Sequence, residues 1–203
     1  MRVIGGDLKG KKILFSDSKK TRPLKDLVRE SIFNVINHSK LINVELIDSY
    51  VLDLYSGIGS FGLECISQKA KKVVFVEEDK QALSILDKNL KNLSVKDKNE
   101  IFNGKVEDYL KQNIVSKFNI FFFDPPFANI NYLDNLKKIK EIGIYAKNNL
   151  VIVHRERKSF ENYDQIFETI STKNYGISKI IFVLFYYRNF LFVLFLSSLT
   201  ALW

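Results

Sequence analysis

Asp53-Leu54-Tyr55-Ser56-Gly57-Ile58-Gly59-Ser60-Phe61-Gly62-Leu63-Glu64 closes the apolar run that starts at Val51, and how it is read decides the fold. The glycines fall in the spacing G-x-G-x-x-G between a predicted strand, Val51–Tyr55, and a predicted helix, Phe61–Gln68. Glu77 stands 20 residues beyond Gly57, at the end of the next predicted strand, Val73–Glu77. Glycines there let the backbone approach a ligand, the helix start offers free N–H groups, and an acid on the second strand can accept from a ribose diol. The glycines alone do not distinguish a nicotinamide dinucleotide from S-adenosylmethionine. Asp53 tilts the choice: an acid ending the first strand repels a pyrophosphate and favours the cationic amino and sulfonium groups of the methyl donor.

Outward from this loop, strands and helices alternate. Lys80–Leu93 reads as a helix, a short strand near Ile101 precedes a helix near Asp108, Phe118–Phe123 is an apolar strand interrupted only by Asn119, Tyr132–Lys140 a helix, and Leu150–Val153 and Ile180–Phe185 further strands. Apolar strands alternating with helices predict an α/β fold whose parallel sheet is covered on both faces. Ligands bind such sheets beyond the carboxyl ends of the strands, so the loops after Tyr55, Glu77 and Phe123 are the candidate sites.

The loop after Phe123 is Asp124-Pro125-Pro126-Phe127, about seventy residues past the glycines. An exocyclic amino group on a nucleobase is a weak nucleophile because its lone pair is delocalised into the ring. The Asp124 carboxylate and the Pro125 carbonyl can accept its two N–H groups, orient the nitrogen and stabilise the developing positive charge. Pro125 and Pro126 stiffen the loop, and Phe127 offers a face on which a base stacks, worth roughly 1–3 kcal/mol. Asp-Pro also starts ordinary turns, but this one follows a buried strand at the same end of the sheet as the glycine loop.

The composition fits this chemistry. With 46% hydrophobic residues in 203, one domain can build a full core without staples. The one cysteine, Cys65, excludes an internal disulfide; His38 and His154 lie far apart without ligand spacing, so no metal site is expected. Met1-Arg2-Val3-Ile4-Gly5-Gly6-Asp7 lacks the apolar core of a signal peptide, and a cytoplasmic setting is expected. The net charge is +8, and residues 1–40 hold ten Lys/Arg against four Asp/Glu. This arm reads as a hairpin, Arg2–Ile4 with Lys12–Phe15, followed from Pro23 by a helix with Leu24, Leu27, Val28, Ile32, Val35 and Ile36 at helical spacing. So steep an asymmetry points to a polyanionic partner, held by Arg2, Lys9, Lys11, Lys12, Arg22 and Arg29. A looser stretch, Asn37–Ser49, joins the arm to the body.

Taken together, Arg2-Val3-Ile4-Gly5-Gly6, Gly10-Lys11-Lys12, Thr21-Arg22-Pro23, Val28-Arg29-Glu30, Phe33-Asn34, the glycine loop and Asp124–Phe127 resemble the bacterial 16S rRNA (guanine-N2)-methyltransferases from Arg2 to about Phe185. The resemblance implies a Rossmann-like, seven-stranded class I methyltransferase sheet over residues 41–185, carrying the small hairpin-and-helix extension 1–40 for RNA. It implies transfer of a methyl group from S-adenosylmethionine to guanine N2 of 16S rRNA, free or within an assembling small subunit. Asp124, Pro125, Pro126 and Phe127 then form the catalytic loop. Asp53, Gly57 and Gly59 meet the methionine part of the cofactor, Glu77 the ribose and Val106 the adenine, and Tyr55 joins the cofactor-binding set. Lys105 departs from the acidic or amide residue common near that adenine.

The apolar tail, residues 186–203, has no counterpart in this pattern. Once Ile180–Phe185 is assigned to the sheet, about fifteen apolar residues remain, short for a membrane span, and membrane contact is not expected of it. Adenine-N6 methylation of DNA or RNA stays open, since Asp-Pro-Pro-aromatic loops serve that chemistry too. A nicotinamide oxidoreductase leaves the Asp124–Phe127 loop unexplained, and a non-catalytic RNA-binding module explains neither loop.

Overall fold

The structure, a computed structural model, describes residues 1–15, 26–160, 163 and 167–185. Seven strands, β1 (Tyr50–Leu54), β2 (Lys72–Glu77), β3 (Asn99–Asn103), β4 (Phe118–Phe123), β5 (Tyr145–Glu156), β6 (Phe167–Tyr175) and β7 (Ser178–Phe185), form one sheet in the order β3-β2-β1-β4-β5-β7-β6. β1 lies parallel to β2 and β4, and the parallel pairing continues to β3 and β5; β7 runs antiparallel between β5 and β6. Helices α1 (Asp26–His38), α2 (Ser60–Ser67), α3 (Lys80–Asn92), α4 (Val106–Tyr109) and α5 (Tyr132–Ile142), with a 3-10 turn at Lys96–Lys98, complete the described elements. β6, mostly exposed and polar, carries no periodicity that sequence could have used. β5 is longer than its apolar run at both ends, because its pairing with β4 starts at Tyr145 and its pairing with β7 extends to Glu156.

Strand alternation splits the core into two layers. Val51, Phe75, Phe122 and Ile152 face one side with α1, α2 and α3. Leu52, Val76, Phe121, Phe123 and Val153 face the other with α4 and α5. The stretch between α1 and β1 is better packed than its composition suggests, since Ile42, Val44 and Leu46 are buried in the first layer.

The basic arm belongs to that same layer. Val3 and Ile13 of the hairpin and Val28, Ile32, Phe33 and Ile36 of α1 are buried with the sheet residues. Phe61 of α2 stacks on Phe122 at 4.1 Å between centroids and meets Phe33 of α1 at 5.3 Å, joining arm and sheet through aromatic contact. The predicted hairpin contains only one antiparallel bridge, Arg2 with Lys12, flanked by Val3 N–H to Lys11 O at 2.9 Å and Ile13 N–H to Met1 O at 3.0 Å. Its strands cannot lengthen because the backbone N–H groups of Ile4 and Gly5 turn to Glu64, at 2.8 and 2.7 Å.

Arg29 corrects one sequence expectation. Rather than facing RNA it is fully buried, because the inner stripe of α1 is Val28, Arg29, Ile32, Phe33 and Ile36, whereas Leu27 lies outside at 69% exposure. Its guanidinium donates to Arg2 O, Met1 Sδ and Asp26, and its Nε stands 3.8 Å from the buried Glu64 carboxylate. Burial pushes the Arg29 pKa down, opposed by the charges of Glu64 and Asp26. Arg22 and the tail 186–203 fall outside the described residues.

Removing one partner of a buried ion pair strands the other. Arg29→Met is expected to lower folding stability by about 3–5 kcal/mol, read as a fall in the urea midpoint; an unchanged midpoint would show that Glu64 needs no cation.

Candidate active site

The sheet reverses its direction of winding at β1, with β2 and β3 on one side and β4 and β5 on the other. Ligand crevices form at the carboxyl edge of such a switch point. The register sets Asp53 opposite Phe75 on β2 and Phe122 on β4, and Leu54 opposite Val76 and Phe123. The residues that follow, Glu77 and Asp124, therefore emerge on either side of the glycine loop. Asp53, Tyr55, Gly57, Gly59, Glu77 and the Asp124–Phe127 loop are brought together here. Val106 opens α4 one strand further along and packs into the second core layer. Lys105 stands at its N-cap without a side-chain capping bond. Arg2, Lys9, Lys11 and Lys12 are exposed on the hairpin across α2.

Each glycine has its own reason. Gly57 has φ 56°, and a Cβ built there meets nothing within 4 Å, so this backbone faces open space over the crevice. Gly59, at φ 81°, would set a Cβ 2.4 Å from Leu86 Cδ1. At Gly62 a Cβ would lie 2.3 Å from Phe75 Cε1 and 2.8 Å from Val73 Cγ1, which is why α2 can lie so close to β2. Tyr55 also takes a positive φ, 60°, turning the chain out of β1; its hydroxyl accepts from Asn135 Nδ2 at 2.9 Å, and that amide also donates to Glu107 at 3.0 Å. Burial raises the Tyr55 phenol to about 12, so it stays protonated.

Carboxylates dominate the crevice. Asp53 is 1% exposed; its Oδ2 accepts from Gly62 N–H at 3.0 Å, and its Oδ1 is buried without a partner. Burial foremost, with Asp124 and Glu77 adding, pushes the Asp53 carboxyl well above its usual range, against the pull of the Gly62 N–H. Glu77 organises the loops: Oε2 accepts from Gly57 N–H at 2.7 Å, and Oε1 from the N–H groups of Glu78 and Asp79 at 2.9 and 2.8 Å. Ser56 Oγ is a second buried polar atom without a partner at this edge. A nearby cation would draw the raised Asp53 pKa back down and a pyrophosphate would raise it further, so this edge suits a cationic group.

Two residues that the sequence reading passed over hold the Asp124–Phe127 loop. Arg155, 2% exposed, donates to Pro126 O at 3.2 Å and Phe127 O at 2.8 Å, with its guanidinium 4.6 Å from the Tyr132 ring centre. His154 Nδ1 lies 2.8 Å from Asp124 Oδ1, and its ring meets Phe127 edge-on at 5.6 Å. The available signal was polar residues ending an apolar strand, and only the pairing of Phe123 with Val153 turns it into a contact. Among the described residues, no group of three or more His, Cys, Asp or Glu can hold a metal ion, and no helix is long and apolar enough to cross a membrane. A shallow concavity lined by Val44, Asp48, Ser49, Asn119 and Asn148 lies at the opposite, amino end of β1 and β4.

Sheet order, glycine loop and acidic crevice define a class I methyltransferase, and a solved methyltransferase from Escherichia coli superposes on this chain with a TM-score of 0.77 at 27% identity, covering 90% of this chain and 96% of that one. The chain belongs to the family described as Conserved hypothetical protein 95, whose pattern it matches over residues 1–184. Within reach of this sequence are proteins named Ribosomal RNA small subunit methyltransferase D: that of Buchnera aphidicola is 33% identical over 77% of this chain and 78% of its own length, and that of Escherichia coli K12 is 31% identical over 77% and 75%. A methylase from Haemophilus influenzae superposes with a TM-score of 0.66 at 29% identity, over 78% of this chain and 96% of that one.

The glycines predict separable defects. Gly62→Ala forces overlap with Phe75 and should cost about 1–3 kcal/mol of stability. Gly57→Ala meets no protein atom, so its folding loss should be limited to the left-handed backbone, about 1–2 kcal/mol, while binding of the methyl donor falls sharply. Thermal unfolding beside calorimetric titration checks this; full donor binding by Gly57→Ala would remove Gly57 from the cofactor site.

Proposed function

We propose that this methyltransferase moves a methyl group from S-adenosylmethionine to the exocyclic N2 of a guanine in 16S rRNA. The observation that carries the reading is the placement of Asp124, on a loop gripped by Arg155 and His154, beside the acidic crevice of Asp53 and Glu77. The residues present fit the cofactor. The partnerless Asp53 Oδ1 suits a cationic amino or sulfonium group, the open face of Gly57 leaves room beside the backbone, and Glu77 is at hand for a ribose diol. When bound, S-adenosylmethionine supplies an electrophilic methyl group.

The chain's own residues do the rest. Asp124 accepts an N–H of the target amine and stabilises its growing positive charge; the Pro125 carbonyl accepts the other. Arg155 engages the Pro126 and Phe127 carbonyls, so it fixes the loop without competing for that of Pro125. Phe127, 37% exposed, remains accessible for stacking on the base. The relatives' names place their reaction on small-subunit rRNA, which supports the same substrate, and a cytoplasmic setting, for this chain. The hairpin supports it from the charge side: Lys9, Lys11 and Lys12 are exposed. Beyond them the chain runs toward the glycine loop, where Asn89 bridges Leu14 and Ile58 O.

Labelled methyl donor, given with naked 16S rRNA and with 30S particles and followed by base mapping, tests the assignment. Label in N2-methylguanine is expected; label in N6-methyladenine would transfer the reading to the adenine chemistry. Asp124→Ala should lower kcat by about 10²–10³-fold with donor affinity largely kept, and near-normal turnover would overturn the role of the loop. Changing Lys9, Lys11 and Lys12 together to Ala should weaken RNA binding and reduce the slope of log K against log salt by roughly 0.7–0.9 for each phosphate no longer neutralised. An unchanged slope in a filter-binding salt series would leave the hairpin as a solvated surface.

A further inference from the structure

We infer that His154 is a positioning residue for methyl transfer, holding the Asp124 carboxylate by one oxygen so that the other faces the substrate amine. The inference rests on the reading of Asp124 as the amine acceptor. His154 follows Val153 on β5, whose partner across the ladder is Phe123, the residue before Asp124. Its Nδ1 lies 2.8 Å from Asp124 Oδ1, and with side-chain exposures of only 13% and 25% the pair is largely withdrawn from water. A carboxylate has only acceptors to offer, so the shared proton sits on Nδ1 and the imidazole donates.

Three observations favour a built arrangement over incidental packing. Asp124 would otherwise be free to rotate toward solvent, and the bond to a strand residue removes that freedom on one oxygen only. The His154 ring also meets Phe127 edge-on at 5.6 Å, so one side chain touches both the amine acceptor and the stacking ring. Alternation on β5 then sends the next side chain, Arg155, to the other face of the sheet, where it takes the Pro126 and Phe127 carbonyls. The loop is thereby straddled from both faces by consecutive residues of one strand. His154 Nε2 is buried without a hydrogen-bond partner, so within the described structure the polar contact of this ring is the one to Asp124.

The imidazole donor is tested by two variants of opposite design. His154→Leu fills much of the ring's space but has no N–H; His154→Asn places an amide N–H near the position of Nδ1. In full-length protein, His154→Leu should lower kcat on 16S rRNA roughly 10- to 100-fold with unchanged donor affinity and a thermal midpoint close to that of the parent. His154→Asn should recover most of the missing turnover. A His154→Leu protein with parental kcat, or a His154→Asn protein as slow as His154→Leu, overturns the inference. Asp124→Ala, assayed alongside, separates the two levels: full activity there overturns the amine-acceptor reading and this one with it, whereas a slow Asp124→Ala beside a fully active His154→Leu overturns the role of His154 alone.

Discussion

The parallel pairing of β1 with β2 on one edge and β4 on the other is the constraint on which the rest of the molecule depends. Because the strands run the same way, the residues that end them emerge at one level, and Asp53, Glu77 and Asp124 converge. In water three carboxylates would stay apart. Here backbone N–H groups and the core hold them close, and burial foremost, with Asp124 and Glu77 adding, raises the pKa of Asp53. Such a concentration of acidic groups suits a cationic ligand better than an anionic one, with Asp53 Oδ1 the acceptor still without a partner.

A second network ties the N-terminal arm to that edge. Glu64, in the helix that the glycine loop opens, accepts from the Ile4 and Gly5 backbone, while buried Arg29 binds the Arg2 carbonyl and approaches the same carboxylate. The cost of burying these charges is offset by backbone hydrogen bonds that a merely apolar contact would leave unmade. What results is placement. The hairpin presents its lysines from a surface whose underside is locked to α2, so the region proposed to hold the polyanion is in fixed register with the loops proposed to do the chemistry.

Much of this was legible along the chain because it depends on local periodicity. Val51, Leu52 and Leu54, and Phe118 with Ile120–Phe123, are apolar on successive positions, interrupted only by Asp53 and Asn119, because both faces of their strands are covered. Gly57 and Gly59 announce a turn that only positive φ can make, and Asp124-Pro125-Pro126 announces a rigid one. β6 was silent because an exposed edge strand needs neither alternation nor apolarity. The helix of the arm was legible but its inner face was not: Leu27 looked like core and Arg29 like surface, and the positions are reversed.

By itself, then, the sequence determined which loops end the central strands at the proposed site, since strand ends, glycines and the Asp124–Phe127 loop are properties of contiguous residues. Tertiary structure alone decided who supports them. His154 and Arg155 reach the loop only through the β4–β5 register, and Arg29 turns from a surface charge into a buried anchor only when α1 docks against Glu64. The physical reason is the same in each case: hydrophobic period is written along one segment, whereas the partner of a polar group is fixed by the packing of segments far apart in the chain.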